Sequence, residues 1–478
     1  MMTEYAALIP LVIVALSAIA AMLAEAFRQP GERMPIAGLG LIGLAGAAVA
    51  SVVLWDTDAQ SMGVIRSDNF ALFINLVLCL IGVLTMLMSN GIVERERIPA
   101  GEYYALTLFA ICGMMMMAAA TDLLVIFLAL EILSLAVYVL TGIRRHSAGG
   151  AEAAFKYFLL GAFSSAFFLY GIAFAFALSG STRIDEIGEA LSRQGAEAPS
   201  MLALLAVGLL AVGFAFKVSA VPFHMWTPDA YEGAPTIVTA FMSTAVKAAA
   251  FAAFVRVFLS PLEPLKAEWI PVLSLLAALT MILGAVVGVV QTNVKRMLAY
   301  SSIAHAGYLL LGLVAANSTG KAAILFYLLA YAVTNMGALG IVALLGTEEN
   351  EHDELRDFAG LWRSRPGLAG LMTIFLLSLG GLPPTAGFIG KWYIFSAAIQ
   401  EGHYALAIIG VLTSVVSVFF YLRIVVMMYM TEGSDTIRPR VGATAMAGLA
   451  LATIAVFYLG VLPTRALDLA LESISTIF

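Results

Sequence analysis

The chain has 478 residues, of which 62% are hydrophobic and 12% charged, with a formal net charge of −6 and a mean hydropathy of +0.97. A soluble chain of this length would fold into about three domains under a surface of roughly 25–35% charged residues; so few charges exclude that, and with it a soluble enzyme or a disordered protein. The negative balance argues against nucleic acid or any other polyanion as partner. What remains is an integral membrane protein in a lipid bilayer.

A spanning helix needs about 20 mostly apolar residues. Fourteen segments answer to this: 5–26, 36–55, 68–89, 102–120, 122–143, 152–179, 201–221, 235–259, 269–291, 298–316, 320–345, 366–401, 403–430 and 441–463. They are continuous apolar runs without the alternation of barrel strands, so the expected fold is all-α, a polytopic bundle filling 1–478 as one membrane domain. The first run, MMTEYAALIPLVIVALSAIAAMLAEAF, lacks a basic leader and a small-residue cleavage site, and reads as an uncleaved first span. Cys79 and Cys112 lie in apolar runs at no metal or disulfide spacing and read as small hydrophobes.

Ionisable residues inside the spans carry the functional signal. In chain order they are Glu131 in span five, Lys156 near the start of span six, Lys217 in span seven, Lys247 and Arg256 in span eight, His305 in span ten, Lys391 in span twelve and Arg423 in span thirteen. A charge at a helix centre costs roughly 2.5–3.5 kcal/mol on insertion scales, so each must pair or face water inside the protein. Charge-balanced glue between helices does not fit, because three central lysines face one central glutamate. Lysine exchanges its proton readily when buried, whereas arginine keeps it, and histidine titrates near neutrality. Glu131, Lys217, Lys247, His305 and Lys391 are therefore the candidate proton-transfer residues, with Lys156, His224 and Lys295 as possible accessories. Arg256 is expected to snorkel or pair near its helix end.

Two spans should be broken. Pro222 removes a backbone donor beside Lys217, and Gly380, Gly381, Pro383 and Pro384 do the same ahead of Lys391. Interrupted helices in corresponding halves point to inverted repeats around a transport site. Glu131 and His305 are 174 residues apart, as are Lys217 and Lys391. The expected organisation is three N-terminal helices (1–100), a first five-helix repeat (102–259), a second, inverted one (269–430) and a last helix (441–463), with spans seven and twelve broken.

Loop lysines and arginines set the orientation. Thirteen fall on one side (Arg28, Arg33, Arg95, Arg97, Arg144, Arg145, Lys295, Arg296, Arg356, Arg363, Arg365, Arg438 and Arg440) and six on the other. The first side is expected to be cytoplasmic, with both termini outside.

The segments ALEILSLAVYVLTG, FKVSAVPFHMWTPDAYEGAPTIVTAFMSTAVKAA, NVKRMLAYSSIAHAGY and LSLGGLPPTAGFIGKWYIF together resemble the antiporter-like subunits of respiratory complex I, over spans four to thirteen. PDAYEGAPT and the lysine in span twelve are similar to the branch called subunit N of bacterial NADH–quinone oxidoreductases. The chain stops at Phe478, without room for the lateral C-terminal helix of the largest such subunit. The resemblance implies a proton-pumping module of the membrane arm in the bacterial inner membrane, partnered by other membrane-arm subunits that include further antiporter-like ones. It implies that Fe–S clusters, FMN and quinone belong to partner subunits and that this chain holds no cofactor or metal. It further implies that Glu131 and Lys217 form a pair, that Lys247 connects the halves, and that His305 and Lys391 lie towards the exit. The nearest rivals are a subunit of a multisubunit cation/proton antiporter or of a membrane-bound hydrogenase, which share this core and differ in their partners. A stand-alone transporter would need a varied polar pocket, and a mere scaffold would not need the central charges.

Overall fold

The computed structural model describes residues 3–29, 35–193, 199–347, 351–432 and 441–477; Arg33, Arg438 and Arg440 of the orientation count lie outside them. Among the described residues, twelve helices are long and apolar enough to cross a membrane: α1 (Tyr5–Ala26, with a 3-10 start), α2 (Ile36–Val53), α3 (Asn69–Ser89), α4 (Ala100–Ala119), α5 (Leu123–Thr141), α6 (Ala148–Ser179), α8 (Thr236–Phe258), α9 (Glu263–Val290), α10 (Val294–Ala315), α11 (Ser318–Leu345), α13 (Tyr404–Met430) and α14 (Ala443–Val461). The two remaining expected spans are broken. The seventh is α7a (Met201–Lys217) and α7b (Trp226–Gly233). The twelfth is α12a (Pro366–Gly380) and α12b (Ala386–Gln400).

Starts follow local capping chemistry. Asp68, Asp122, Ser147, Ser200, Asn293 and Asn317 accept hydrogen bonds from free backbone N–H groups at the starts of α3, α5, α6, α7a, α10 and α11. Proline and glycine set the breaks. At the first, Trp226 Nε1 donates to Phe216 O at 3.0 Å and Thr280 Oγ1 accepts from Val221 N at 2.9 Å, so unwound backbone inside the bundle is satisfied by neighbours. At the second, Gly381 adopts φ 81°, and Gly387 lies so close to α12a that a Cβ there would sit 1.9 Å from Ser378 O. Gly387→Ala is accordingly expected to destabilise this joint by about 1–3 kcal/mol, the cost of overpacking, visible as a lower thermal midpoint of the purified complex; an unchanged midpoint would refute the close packing.

The core is α8, α10 and α11. Every residue of α8 is buried, and α10 and α11 are nearly so, whereas α1, α2, α6 and α14 show most of their apolar side chains to the outside. One turn of α8, Met242–Val246, is π-helical and leads directly into Lys247, a local widening that no sequence period announced. Ser67 Oγ donates to Ala7 O, and Phe70 N donates to Thr476 Oγ1. Both ends of the described chain therefore lie on one side of the bundle.

Three elements depart from the expected pattern of spans. Ala59–Ser61 and Ile65–Ser67 pair as a small antiparallel hairpin, an exception to all-α. Ile184–Arg193 is an amphipathic helix burying Ile184, Ile187 and Leu191. Thr464–Ser475 is another, burying Leu467, Ala470 and Ile474 after the last span. Both are too short and polar to count as spans.

Candidate functional site

Lys217, Lys247, His305 and Lys391 are all buried, at 2–5% exposure, and none has a carboxylate within bonding distance among the described residues. Lys217 Nζ donates to Ser134 Oγ at 2.7 Å and lies 5.6 Å from the centroids of the Tyr138 and Tyr157 rings. Lys247 Nζ donates to Ser302 O at 2.5 Å and Ser302 Oγ at 2.6 Å, with Tyr331 5.6 Å away. Lys391 Nζ donates to Leu379 O at 2.8 Å, Gly380 O at 3.1 Å and Ser414 Oγ at 2.8 Å, over Tyr308 at 5.1 Å. Hydroxyls, carbonyls and ring faces thus do for each ammonium what water does in solution. Such partners hold a charge without neutralising it.

His305 joins two of these lysine nests. Its Nδ1 meets Tyr327 OH at 2.5 Å and its Nε2 meets Tyr421 OH at 3.2 Å. Tyr421 OH is also hydrogen-bonded to Ser301 Oγ, and Tyr331 OH donates to the same Ser302 Oγ that holds Lys247. Tyr308, under Lys391, contacts the His305 ring edge-on. Ser301, Ser302 and His305 share α10, so this helix presents one polar face to α8, α11 and α13.

The implied Glu131–Lys217 pair is not a direct ion pair. Glu131 is half-buried and accepts from Ser165 Oγ at 2.5 Å, while Lys217 reaches Ser134, one turn along α5. Ser134 in turn donates to Leu130 O. Each group bonds its own serine, Lys217 that of α5 and Glu131 that of α6.

The 174-residue offset also loses its structural meaning. Lys217 is the last residue of α7a, ahead of its break, whereas Lys391 is the sixth residue of α12b, beyond its break. Pro222 lies after one lysine, and Pro383 and Pro384 lie before the other. The two lysines therefore approach their breaks from opposite sides.

Arg256, Lys156 and Lys295 have carboxylate partners. Arg256 makes a bidentate contact with Asp68 at 2.8 Å for both bonds and donates to Ala118 O; of the two expected outcomes, pairing holds. Arg423 donates to Val289 O at the end of α9. Lys156, partly exposed, bonds Glu152 at 2.7 Å and Asp229 at 2.9 Å. Lys295 was counted with the loops but is fully buried in α10, on Ala234 O at 2.8 Å and Glu351 Oε2 at 2.5 Å. His224 lies in the α7 break, with a buried Nδ1 lacking a protein partner.

Sequence reasoning missed the acids Asp68, Asp229 and Glu351, and the hydroxyls that solvate the lysines. A stripe was readable for some of them. Tyr327 and Tyr331 are one turn apart, as are Ser301 and His305, and polar groups at that spacing in an apolar helix share one face.

A family signature described as NADH:quinone oxidoreductase/Mrp antiporter, TM matches residues 120–417. The NADH-quinone oxidoreductase subunit N of Trichlorobacter lovleyi is 45% identical over 473 residues, covering 98% of this chain and 97% of that one. A chain of respiratory complex I from Thermus thermophilus, solved with bound Aureothin, is 36% identical with a TM-score of 0.82, covering 96% of this chain and 98% of that one. A chain of the Mrp complex from Dietzia is 21% identical with a TM-score of 0.81, covering 100% of this chain and 98% of that one; at that identity the likeness is one of fold alone.

Proposed function

The chain belongs to the NADH:quinone oxidoreductase/Mrp antiporter family and, within it, to the subunit N relatives, and from that premise we propose that it translocates protons in the membrane arm of an NADH–quinone oxidoreductase. It is a non-redox subunit of that translocase, beside other membrane-arm subunits, further antiporter-like ones among them. The fold alone does not separate this reading from a cation/proton antiporter, since the TM-scores are alike at 0.82 and 0.81. Sequence separates them: identity to the oxidoreductase relatives is 45% and 36%, against 21% for the Mrp chain.

In this reading Glu131, Lys217, Lys247, His305 and Lys391 pass the proton, while Fe–S clusters, FMN and quinone reside in partner subunits and this chain carries no cofactor or metal. The observation that carries it is the set of three buried ammonium groups held by neutral partners. A charge with no buried counter-ion can leave as a proton without stranding a carboxylate. The arrangement described, with Glu131 on Ser165 and Lys217 on Ser134, corresponds to the separated state of their pair. Bringing Glu131 to Lys217 favours the charged lysine, and parting them favours the neutral amine, because desolvation penalises charge. Alternation between the two drives protons from Lys217 to Lys247, through the hydroxyl nest of His305 to Lys391, and out. Moving one charge against 100 mV costs about 2.3 kcal/mol, within the range of a pair switching between contact and separation.

The five-helix repeats 102–259 and 269–430 are part of the same proposal, supported by one broken helix in each. So is the orientation with both termini on the non-cytoplasmic side of the bacterial inner membrane, supported by the loop arginines and by the two ends meeting the 67–70 segment. The test is Lys217→Ala and Glu131→Ala in the assembled complex. Electron transfer should lose its coupled pumping; pumping at the wild-type rate would end the proposal.

A further inference from the structure

Lys295 is a fully buried cation that the line of transfer groups does not use. Its partner Glu351 comes from the segment between α11 and α12a and faces two ways. One oxygen meets Arg144, from the loop between α5 and α6; the other accepts from Lys295 and, at 3.1 Å, from Thr236 Oγ1 at the start of α8. Glu351, Arg144, Lys156, Asp229 and Glu232 line an open cavity of about 360 Å³ on the arginine-rich side. Lys295 lies beyond Glu351, away from that cavity.

Thr236 begins a stripe. Thr236, Thr239, Ser243 and Lys247 follow at intervals of three and four residues, the first two on one face of the α-helical start of α8 and the last two across its π-helical turn. Thr239 Oγ1 donates to Tyr231 O, and Ser243 Oγ donates to Ala240 O and accepts from Asn335 Nδ2 at 2.7 Å. Asn335 is fully buried on α11, one turn from Tyr331, and its Oδ1 has no partner among the described residues. A buried amide oxygen requires a donor, and a water molecule is the donor that a polar site of this kind takes. An ion-pair clamp holding residue 351 to α10 would explain Glu351 and Lys295. It would not explain hydroxyls continuing to Lys247, nor an amide oxygen left open halfway.

We infer that Glu351 and Lys295 form the mouth of a proton inlet that reaches Lys247 along the Thr236–Thr239–Ser243 face of α8, with Asn335 holding a water beside it. This rests on Lys247 being a transfer group. A proton from cavity water forms an O–H bond at Glu351. It then passes to the Lys295 amine, which has released its own proton along the stripe. That proton completes an N–H bond on neutral Lys247. One proton leaves the cavity, one arrives at Lys247, and Glu351 and Lys295 return to their starting states. The groups facing Glu351 are Arg144, Lys295, Thr236 and Glu96 from the 90–99 loop, and Asp353 of its own segment faces Lys295 at 3.9 Å. Burial pushes the Glu351 carboxyl up, but Lys295 and Arg144 outweigh it and hold it below its ordinary value, so at rest it is ionised, and it takes a proton only as Lys295 gives up its own.

The experiment compares Glu351→Gln, Asn335→Leu and Lys247→Ala in the assembled complex in sealed vesicles, measuring protons moved per electron from about pH 6 to about pH 8. Glu351→Gln should lose most pumping at the alkaline end and regain it towards the acid end, where bulk protons are more abundant. Asn335→Leu should slow pumping across the range. Wild-type ratios and a flat pH profile in both, with pumping lost in Lys247→Ala, overturn the inlet and leave Lys247 as a transfer group. Wild-type pumping in Lys247→Ala overturns both. Should Glu351→Gln fail to assemble, Asn335→Leu decides alone, since it leaves every ion pair at the mouth in place.

Discussion

Replacing Lys391 by methionine in the assembled complex is expected to cut coupled proton release by roughly 10²-fold or more, the range for a lost proton-transfer group, while electron transfer continues in uncoupled membranes. The physical reason is double. In the proposed path Lys391 is the site where charge rests beyond His305, and all three of its donors are engaged, two of them by the last carbonyls of α12a. A cation at a helix C-terminus is favoured by the aligned peptide dipoles and by the unpaired carbonyls there. Methionine matches the stem but takes the side-chain donor from Leu379 O and leaves Gly380 O with only Ser414 Oγ at 3.5 Å. Lys391→Arg separates the two effects: arginine supplies donors and charge, so the complex should assemble, but it retains its proton, so pumping should stay low. Full pumping with arginine at 391 would show that Lys391 is only a helix cap.

Arg256→Met is expected to have the largest effect on stability, about 3–5 kcal/mol, because it leaves the fully buried Asp68 as an unpaired charge. Asp68 also caps α3, and Arg256 also holds Ala118 O and covers the Phe70 ring at 5.1 Å. One contact thus ties α8, α3 and α4 together. The measurable outcome is a sharp fall in subunit level in membranes. Complexes that do assemble should keep the wild-type ratio of protons to electrons, because the pair lies off the lysine line. An altered ratio would place Arg256 in the transfer path instead. Asp68→Asn should be milder, since the amide oxygen still accepts from Arg256 and from Ala71 N.

The contrast between these two residues explains what the sequence could and could not disclose. Lys391 was legible because a lysine inside an apolar run needs an explanation wherever it sits. The breaks were legible because Pro222, Pro383 and Pro384 act on their own backbone. Arg256 gave only the alternative of snorkelling or pairing, because its partner is 188 residues away and looks in sequence like an ordinary helix cap. Glu351 lies outside every span and 56 residues from Lys295, so neither residue announced the other. The separation of Glu131 from Lys217 depends on Ser134 and Ser165, which as single hydroxyls in apolar helices carry little signal. Local chemistry was readable, and long-range partners were not.

The opposite placement of the two lysines about their breaks has a mechanical corollary. A tilt of α12b about residues 381–385 carries Lys391 with it and draws its ammonium away from the carbonyls of α12a. A tilt of α7b about 218–225 leaves Lys217 where it is, anchored in the half that does not swing. The second joint therefore acts on its lysine directly, by moving the ammonium itself, whereas the first reaches Lys217 only through Trp226, which stacks on the Tyr157 ring beside that ammonium. A push transmitted along the membrane would displace the charge at one lysine and the lining around it at the other.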